Sequence, residues 1–226
     1  MDIKAVFLDI DNTLLDFNKS AVVASDKTAK KHSVTLPLGY SDVFFKVNDY
    51  LWSELEKGSI IKQDIYDRRW NTIFCELGID YDGKAFEEDF RKEMRVTAIP
   101  VDGAKEILRY LSEKYPVYLA SNASRLQQET RLKSSGLFDY ISGIFTSEEI
   151  GFQKPNKEFF YGCMSEIYPI LPYETVMIGD NVDADIIGAK NFGLKTIWFN
   201  YHKKEYDNYN FTDYYVNSLG EIKNIL

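Results

Sequence analysis

The chain opens on an apolar run, Ala5-Val6-Phe7-Leu8, long enough for one buried strand; it runs into Asp9, with a second aspartate at position 11. Apolar residues then recur at helical spacing, Phe44, Val47, Leu51 and Leu55 in one segment and Ile65, Ile73 and Leu77 in another. This periodicity, with Gly58 and Gly78 as stops, predicts helices over residues 20–31, 40–56, 62–77 and 83–94. No strand is predicted between Asn18 and Thr97. The pattern changes at Ile99-Pro100. Short apolar runs at 117–120, 143–145, 175–178, 195–199 and 214–216 predict strands, and stretches at 102–113, 124–133, 156–168 and 182–192 predict helices between most of them. A closing helix is expected from Leu219.

Strands alternating with helices imply a parallel sheet covered on both faces. The expected fold is therefore α/β, a Rossmann-like three-layer core built from residues 1–15 and 99–226. An all-helical domain, residues 16–98, is expected as an insert after the first strand.

Composition narrows the partners. With 45% hydrophobic and 27% charged residues, the chain is ordinary for a soluble globular protein. A net charge of −8 leaves no basic surplus to displace counterions, which argues against a nucleic-acid polymer or an anionic membrane as partner. Cys75 and Cys163 stand far apart, inside apolar helical patterns, and read as buried free thiols. The N-terminus lacks the basic start and apolar core of a signal peptide, and no run is long enough to span a bilayer, so the expected location is the cytoplasm.

Ligands of open α/β sheets bind beyond the carboxyl ends of the strands. Those ends carry Asp9 and Asp11 after the first strand, Ser121 and Asn122 after the next, and Gly179-Asp180 after a third, while Lys154 precedes the helix entered at Pro155. Singly, each has a bland explanation: Asp-Asn as a turn, Asn122 or Ser124 as a helix cap, a lysine before proline as a solvated residue. Their convergence on one sheet edge is harder to explain that way. Carboxylates held close repel unless a cation sits among them, and Mg2+ typically takes one or two carboxylates plus waters and a substrate phosphate. One aspartate can then attack phosphorus, a second carboxyl group can protonate the leaving oxygen, and the lysine and neighbouring donors can hold the charged oxygens. The pieces fit a phosphate monoester hydrolase.

In this order and spacing the residues resemble the four motifs of the haloacid dehalogenase superfamily: Asp9-Ile-Asp11-Asn-Thr13, Ser121, Lys154 within Gly151-Phe-Gln-Lys154-Pro155, and Gly179-Asp180 through Asp185. The resemblance implies Asp9 as nucleophile and metal ligand, and Asp11 as general acid/base whose backbone carbonyl is a second ligand. It implies Asp180 as the third ligand and Asp185 as a support without direct metal contact. Ser121, Asn122 and Lys154 would contact phosphate, and Mg2+ is the implied cofactor. The helical insert would be a type C1 cap that opens for substrate and closes against water. The segments LDIDNTLLDF, VNDYLWSELEKGSI, SNASRLQQETRLKSSGLFDY, SEEIGFQKPNKEFF and MIGDNVDADIIGAKNFGLKTIWFN are similar to bacterial pyrimidine 5′-nucleotidases of the superfamily. This implies a nucleoside monophosphate as substrate. Ala123 departs from the glycine that many relatives carry there.

Four alternatives stand beside this one: a phosphatase of sugar phosphates or phosphoglycolate, a phosphomutase, a haloacid dehalogenase, and a catalytically silent interaction module. A dehalogenase needs neither a metal nor a proton donor at Asp11, and retention of every acid counts against a silent module. Asn48, Tyr50, Trp52, Arg68, Arg69 and Trp70 are candidate substrate contacts in the insert, although tryptophans at helical spacing also suit its core.

Overall fold

The protein is described by a computed structural model that covers residues 2–206 and 208–226. In chain order the elements are β1 (Ala5–Leu8), α1 (Phe17–His32), α2 (Tyr40–Glu56), α3 (Lys62–Leu77), α4 (Gly83–Val96), α5 (Ala104–Ser112), β2 (Val117–Ser121), α6 (Arg125–Ser134), β3 (Gly143–Thr146), α7 (Ser147–Ile150), α8 (Lys157–Glu166), β4 (Thr175–Gly179), α9 (Gly188–Phe192), β5 (Lys195–Phe199) and β6 (Tyr214–Val216). The described residues divide into two compact units, one running to Phe17 and resuming at Ala98–Leu226, the other Asn18–Thr97.

The first unit holds one parallel sheet in the order β3-β2-β1-β4-β5-β6. β1 lies inside it, with Val6 level with Val117 on one side and Val176 on the other. A strand flanked on both edges and covered on both faces has no solvent side, which is why its four residues are all apolar and buried. Alternate side chains feed different layers. Val6 and Leu8 join Ile107, Leu108 and Leu111 of α5 with Leu219 and Ile222 near the C-terminus, whereas Ala5 and Phe7 join Phe159, Phe160 and Cys163 of α8. The chain builds outward from β1 through β2 to β3, then returns to place β4 on the other side of β1. That reversal opens a crevice at the carboxyl ends of β1 and β4, where such sheets bind ligands.

The second unit is built from α1 to α4 with short connections, and no strand lies among its described residues. Phe44, Trp70, Phe74, Phe86 and Phe90 fill its interior, with the Trp70 and Phe86 ring centres 4.3 Å apart. A charged pair lies among them. The guanidinium of Arg69 donates to both carboxylate oxygens of Glu87, at 2.5 and 3.1 Å, and to Asn48 Oδ1 at 2.9 Å, and it lies over the Phe90 ring. Burial pushes the Glu87 carboxyl above its usual range even though Arg69 pulls the other way. Replacing Arg69 by Met would strand that carboxylate and cost about 3–5 kcal/mol in urea unfolding. A carboxyl group whose folded-state pKa is raised favours folding at low pH and loses that contribution as pH rises, so the deficit of R69M should shrink between pH 8 and pH 5. Adding Glu87→Leu should recover most of it; a deficit that persists in the double variant would show that the pair is not its source.

Several details differ from expectation. The segment expected as a helix over 182–192 opens with a π-helical turn, Val182–Ile187, before α9, and the closing element is a 3-10 turn at Leu219–Asn224. Cys75, expected to be buried, is exposed on α3, while Cys163 is buried; both thiols are free. Asn48, Arg69 and Trp70 are core residues of the helical unit, and Arg68 bonds Asp64 one turn away on its surface. Of the six substrate-contact candidates, Tyr50 is well exposed. No helix among the described residues is long and apolar enough to cross a membrane.

Candidate active site

The ladder of β1 against β4 extends one residue past the strand, where the Asp9 amide donates to the Ile178 carbonyl at 2.9 Å. The chain then folds back. The amides of Leu14 and Leu15 both reach the Ile10 carbonyl, Asn12 takes a left-handed conformation (φ 59°) that asparagine tolerates, and its side chain accepts from the Phe17 amide at 3.0 Å. This turn holds Asp9 at the crevice.

Lys154 binds across it. Its buried Nζ donates to Asp9 Oδ1 at 2.7 Å, to Asp185 Oδ1 at 2.6 Å and to the Ala120 carbonyl at 2.7 Å. All three ammonium hydrogens are thereby used. Asp185 accepts through its other oxygen from the Asn181 amide at 3.1 Å, and the Asn181 side chain caps the π-helical turn by accepting from the amides of Asp183 and Ala184. A Cβ on Gly179 would lie 2.2 Å from Asp185 Oδ2, so the close approach of that carboxylate to the end of β4 requires glycine. Asp180 is fixed by its backbone carbonyl, which accepts from the Trp198 indole at 2.9 Å, and Thr13 donates to its Oδ1 at 3.4 Å. Asp9, Asp180 and Asp185 each offer an oxygen within 4.8 Å of the others.

The electrostatics follow from burial. Burial raises the Asp9 carboxyl to about 7, a rise that Lys154 moderates and Asp185 reinforces. Burial likewise lifts Asp180 and Asp185. For Lys154, burial works against the charged form, but the adjacent Asp185 and Asp9 carboxylates outweigh it and the ammonium is held above its usual range. Asp9 and Asp185 thus share one ammonium, and Asp180, with His202 Nε2 3.6 Å from its Oδ2, stands beside them. The imbalance and the all-oxygen donor set suit a small hard dication such as Mg2+. Asp185 has both oxygens engaged, so Asp9 and Asp180 are the carboxylates better placed to meet an ion directly.

The other expected site residues are also at the sheet edge. Ser121 Oγ accepts from the Ala123 amide at 3.1 Å and from Gln128 Nε2 at 3.0 Å. Asn122 places its amide group on the Lys154 backbone, accepting from N at 2.9 Å and donating to O at 3.0 Å, so its side chain braces the loop that presents the lysine. Asp11 bonds its carboxylate to α6, where Arg131 Nη1 donates to Oδ1 at 2.6 Å and Gln128 Nε2 to Oδ2 at 2.7 Å. Gln128 and Arg131 were not anticipated. Their spacing of three, which puts both on one helix face, was the available signal.

The chain is 34% identical over 89% of its length to the pyrimidine 5′-nucleotidase PynA of Streptococcus pneumoniae (strain ATCC BAA-255 / R6), covering 86% of that protein. It is 28% identical to a glyceraldehyde 3-phosphate phosphatase of Pyrococcus furiosus, covering 99% of this chain and 93% of that one. Among solved structures, the HAD-hydrolase YfnB of Bacillus subtilis bound to magnesium superposes with a TM-score of 0.92 at 29% identity, covering 99% of this chain and 98% of that chain. The model of the haloacid dehalogenase-like hydrolases matches residues 3–193, a span that takes in the Asp9 turn, Lys154 and the Asp180–Asp185 segment, and the chain belongs to that family.

Proposed function

We propose that the protein is a Mg2+-dependent phosphate monoester hydrolase that acts through an aspartyl-phosphate on Asp9, with pyrimidine nucleoside monophosphates as its preferred substrates. The observation that carries the chemistry is the tether on Asp9: Lys154 holds Oδ1 at 2.7 Å, which leaves Oδ2 to attack. In the first step Oδ2 bonds to phosphorus while the ester P–O bond breaks, and the departing oxygen takes a proton from Asp11. In the second, water attacks phosphorus and gives its proton to Asp11, the bond from Asp9 to phosphorus breaks, and inorganic phosphate leaves. Ser121 accepts two hydrogen bonds within the protein, so its own hydrogen can be donated to a phosphoryl oxygen. Asp9, Asp180 and the Asp11 carbonyl would hold the ion, which when bound supplies charge neutralisation at the phosphoryl group. Trp198 and Thr13 orient Asp180 for that task.

The preference for a pyrimidine nucleotide rests on similarity to PynA across most of the chain. A phosphate-release screen over pyrimidine nucleoside monophosphates, sugar phosphates including glyceraldehyde 3-phosphate, and phosphoglycolate tests it, with Mg2+ or with EDTA. The expected result is turnover led by the pyrimidine nucleotides and abolished by EDTA. Sugar phosphates leading would overturn the substrate while keeping the chemistry, and full activity in EDTA would overturn the chemistry. Activation by a bisphosphate would identify a phosphomutase.

A further inference from the structure

In that reading Asp11 acts at the reacting atoms, yet its carboxylate bonds, among the described residues, come from outside its own turn. Both oxygens are held from α6, across the crevice, by Arg131 Nη1 and Gln128 Nε2. These two are fully buried, an unusual place for a guanidinium and an amide. They are also bonded to each other, Arg131 Nη1 donating to Gln128 Oε1 at 3.0 Å, and Gln128 Nε2 reaches Ser121 Oγ at 3.0 Å. One side chain therefore touches both the expected proton donor and the expected phosphate donor. A surface ion pair would leave Asp11 free to rotate; a buried guanidinium and amide, each bonded to it and to the other, restrict it to one orientation.

We propose that Arg131 and Gln128 are positioning residues for Asp11: they set where its carboxyl group stands relative to the phosphoryl group bound at Ser121, and so govern protonation of the leaving oxygen. This rests on the phosphatase reading given above. Neither residue touches the scissile bond. Their effect must then scale with how much the leaving oxygen needs a proton. An alkoxide leaving from a nucleotide needs it fully, whereas dinitrophenolate departs without help.

The test is first-turnover kinetics by rapid mixing, following leaving-group release from uridine 5′-monophosphate and from 2,4-dinitrophenyl phosphate, for the wild type, Arg131→Leu, Gln128→Met and Arg131→Lys. The expected result is that Arg131→Leu and Gln128→Met slow release from the nucleotide about 10²-fold, the range for loss of a positioned general acid, with little change in KM. Release from 2,4-dinitrophenyl phosphate should stay within about threefold of wild type. Arg131→Lys, which keeps a cation but loses the fork, should recover part of the nucleotide rate. Equal slowing of both substrates would assign the pair a merely structural role and overturn the proposal, as would no slowing of either. Gln128→Met removes one of the two bonds and leaves the guanidinium in place, so it decides the matter if Arg131→Leu does not fold. Failure of the phosphatase reading is a distinct outcome, because wild-type enzyme would then release neither leaving group.

Discussion

Asp9→Asn should lose at least about 10⁴-fold in phosphate release while the protein becomes no less stable, and its thermal midpoint equals or exceeds that of the wild type. The loss follows from the chemistry: an amide oxygen does not displace an alkoxide from phosphorus. The stability half of the expectation follows from the charges. Asp9 is buried against Asp185, and burial has already raised its carboxyl to about 7, so the ionised form sits in an unfavourable place. Removing that charge leaves Lys154 paired one-to-one with Asp185 at 2.6 Å. Function and stability pull in opposite directions at this position, as they do where an active site holds groups that folding alone would not choose. Measuring turnover and thermal midpoint on the same preparation checks both halves. An active Asp9→Asn protein would remove the nucleophile from the proposal, and an inactive but strongly destabilised one would make the loss of activity uninformative.

Much of this site is legible in the sequence because strand ends and motif spacing are local. The apolar run into Asp9, the Gly179-Asp180 pair after β4 and Lys154 before Pro155 each announce themselves within a few residues, and a parallel sheet brings its strand ends to one edge. What the sequence does not convey is which groups pair after they meet. Asp11 and Arg131 lie 120 positions apart, and no local pattern says that they pair. Asn122 sits where a phosphate donor is expected, and no local pattern announces that its amide also bonds the Lys154 backbone. In the helical unit Arg69 reads as a candidate substrate contact beside Arg68. Only the fold of α3 against α4 puts it opposite Glu87, and Cys75 turns outward from that same helix. Side-chain choice among competing partners is set by tertiary geometry, which periodicity alone does not encode.

Lys154→Met carries the largest consequence for the site as a whole, because it removes the cation that the buried Asp9 and Asp185 carboxylates share beside Asp180. Asp9 and Asp185 would lose the partner that holds each of them, and stranding buried charges in this way costs about 3–5 kcal/mol. The Ala120 carbonyl would lose its donor as well. Phosphate release should fall by at least about 10³-fold, since Asp9 is no longer held in line. The informative measurement is the response to Mg2+. In the wild type the ammonium already offsets part of the negative charge, so the ion adds to a site that is partly neutral. Without it, the ion becomes the main source of positive charge among the carboxylates, and a ligand that binds only the folded state raises stability in proportion to its affinity for that state. Saturating Mg2+ should therefore raise the thermal midpoint of Lys154→Met by more than it raises that of the wild type, without restoring turnover, because charge is replaced but the tether on Asp9 is not. An equal or smaller rise in the variant would mean that the ion and Lys154 do not answer the same charge, and the carboxylate cluster would need another explanation.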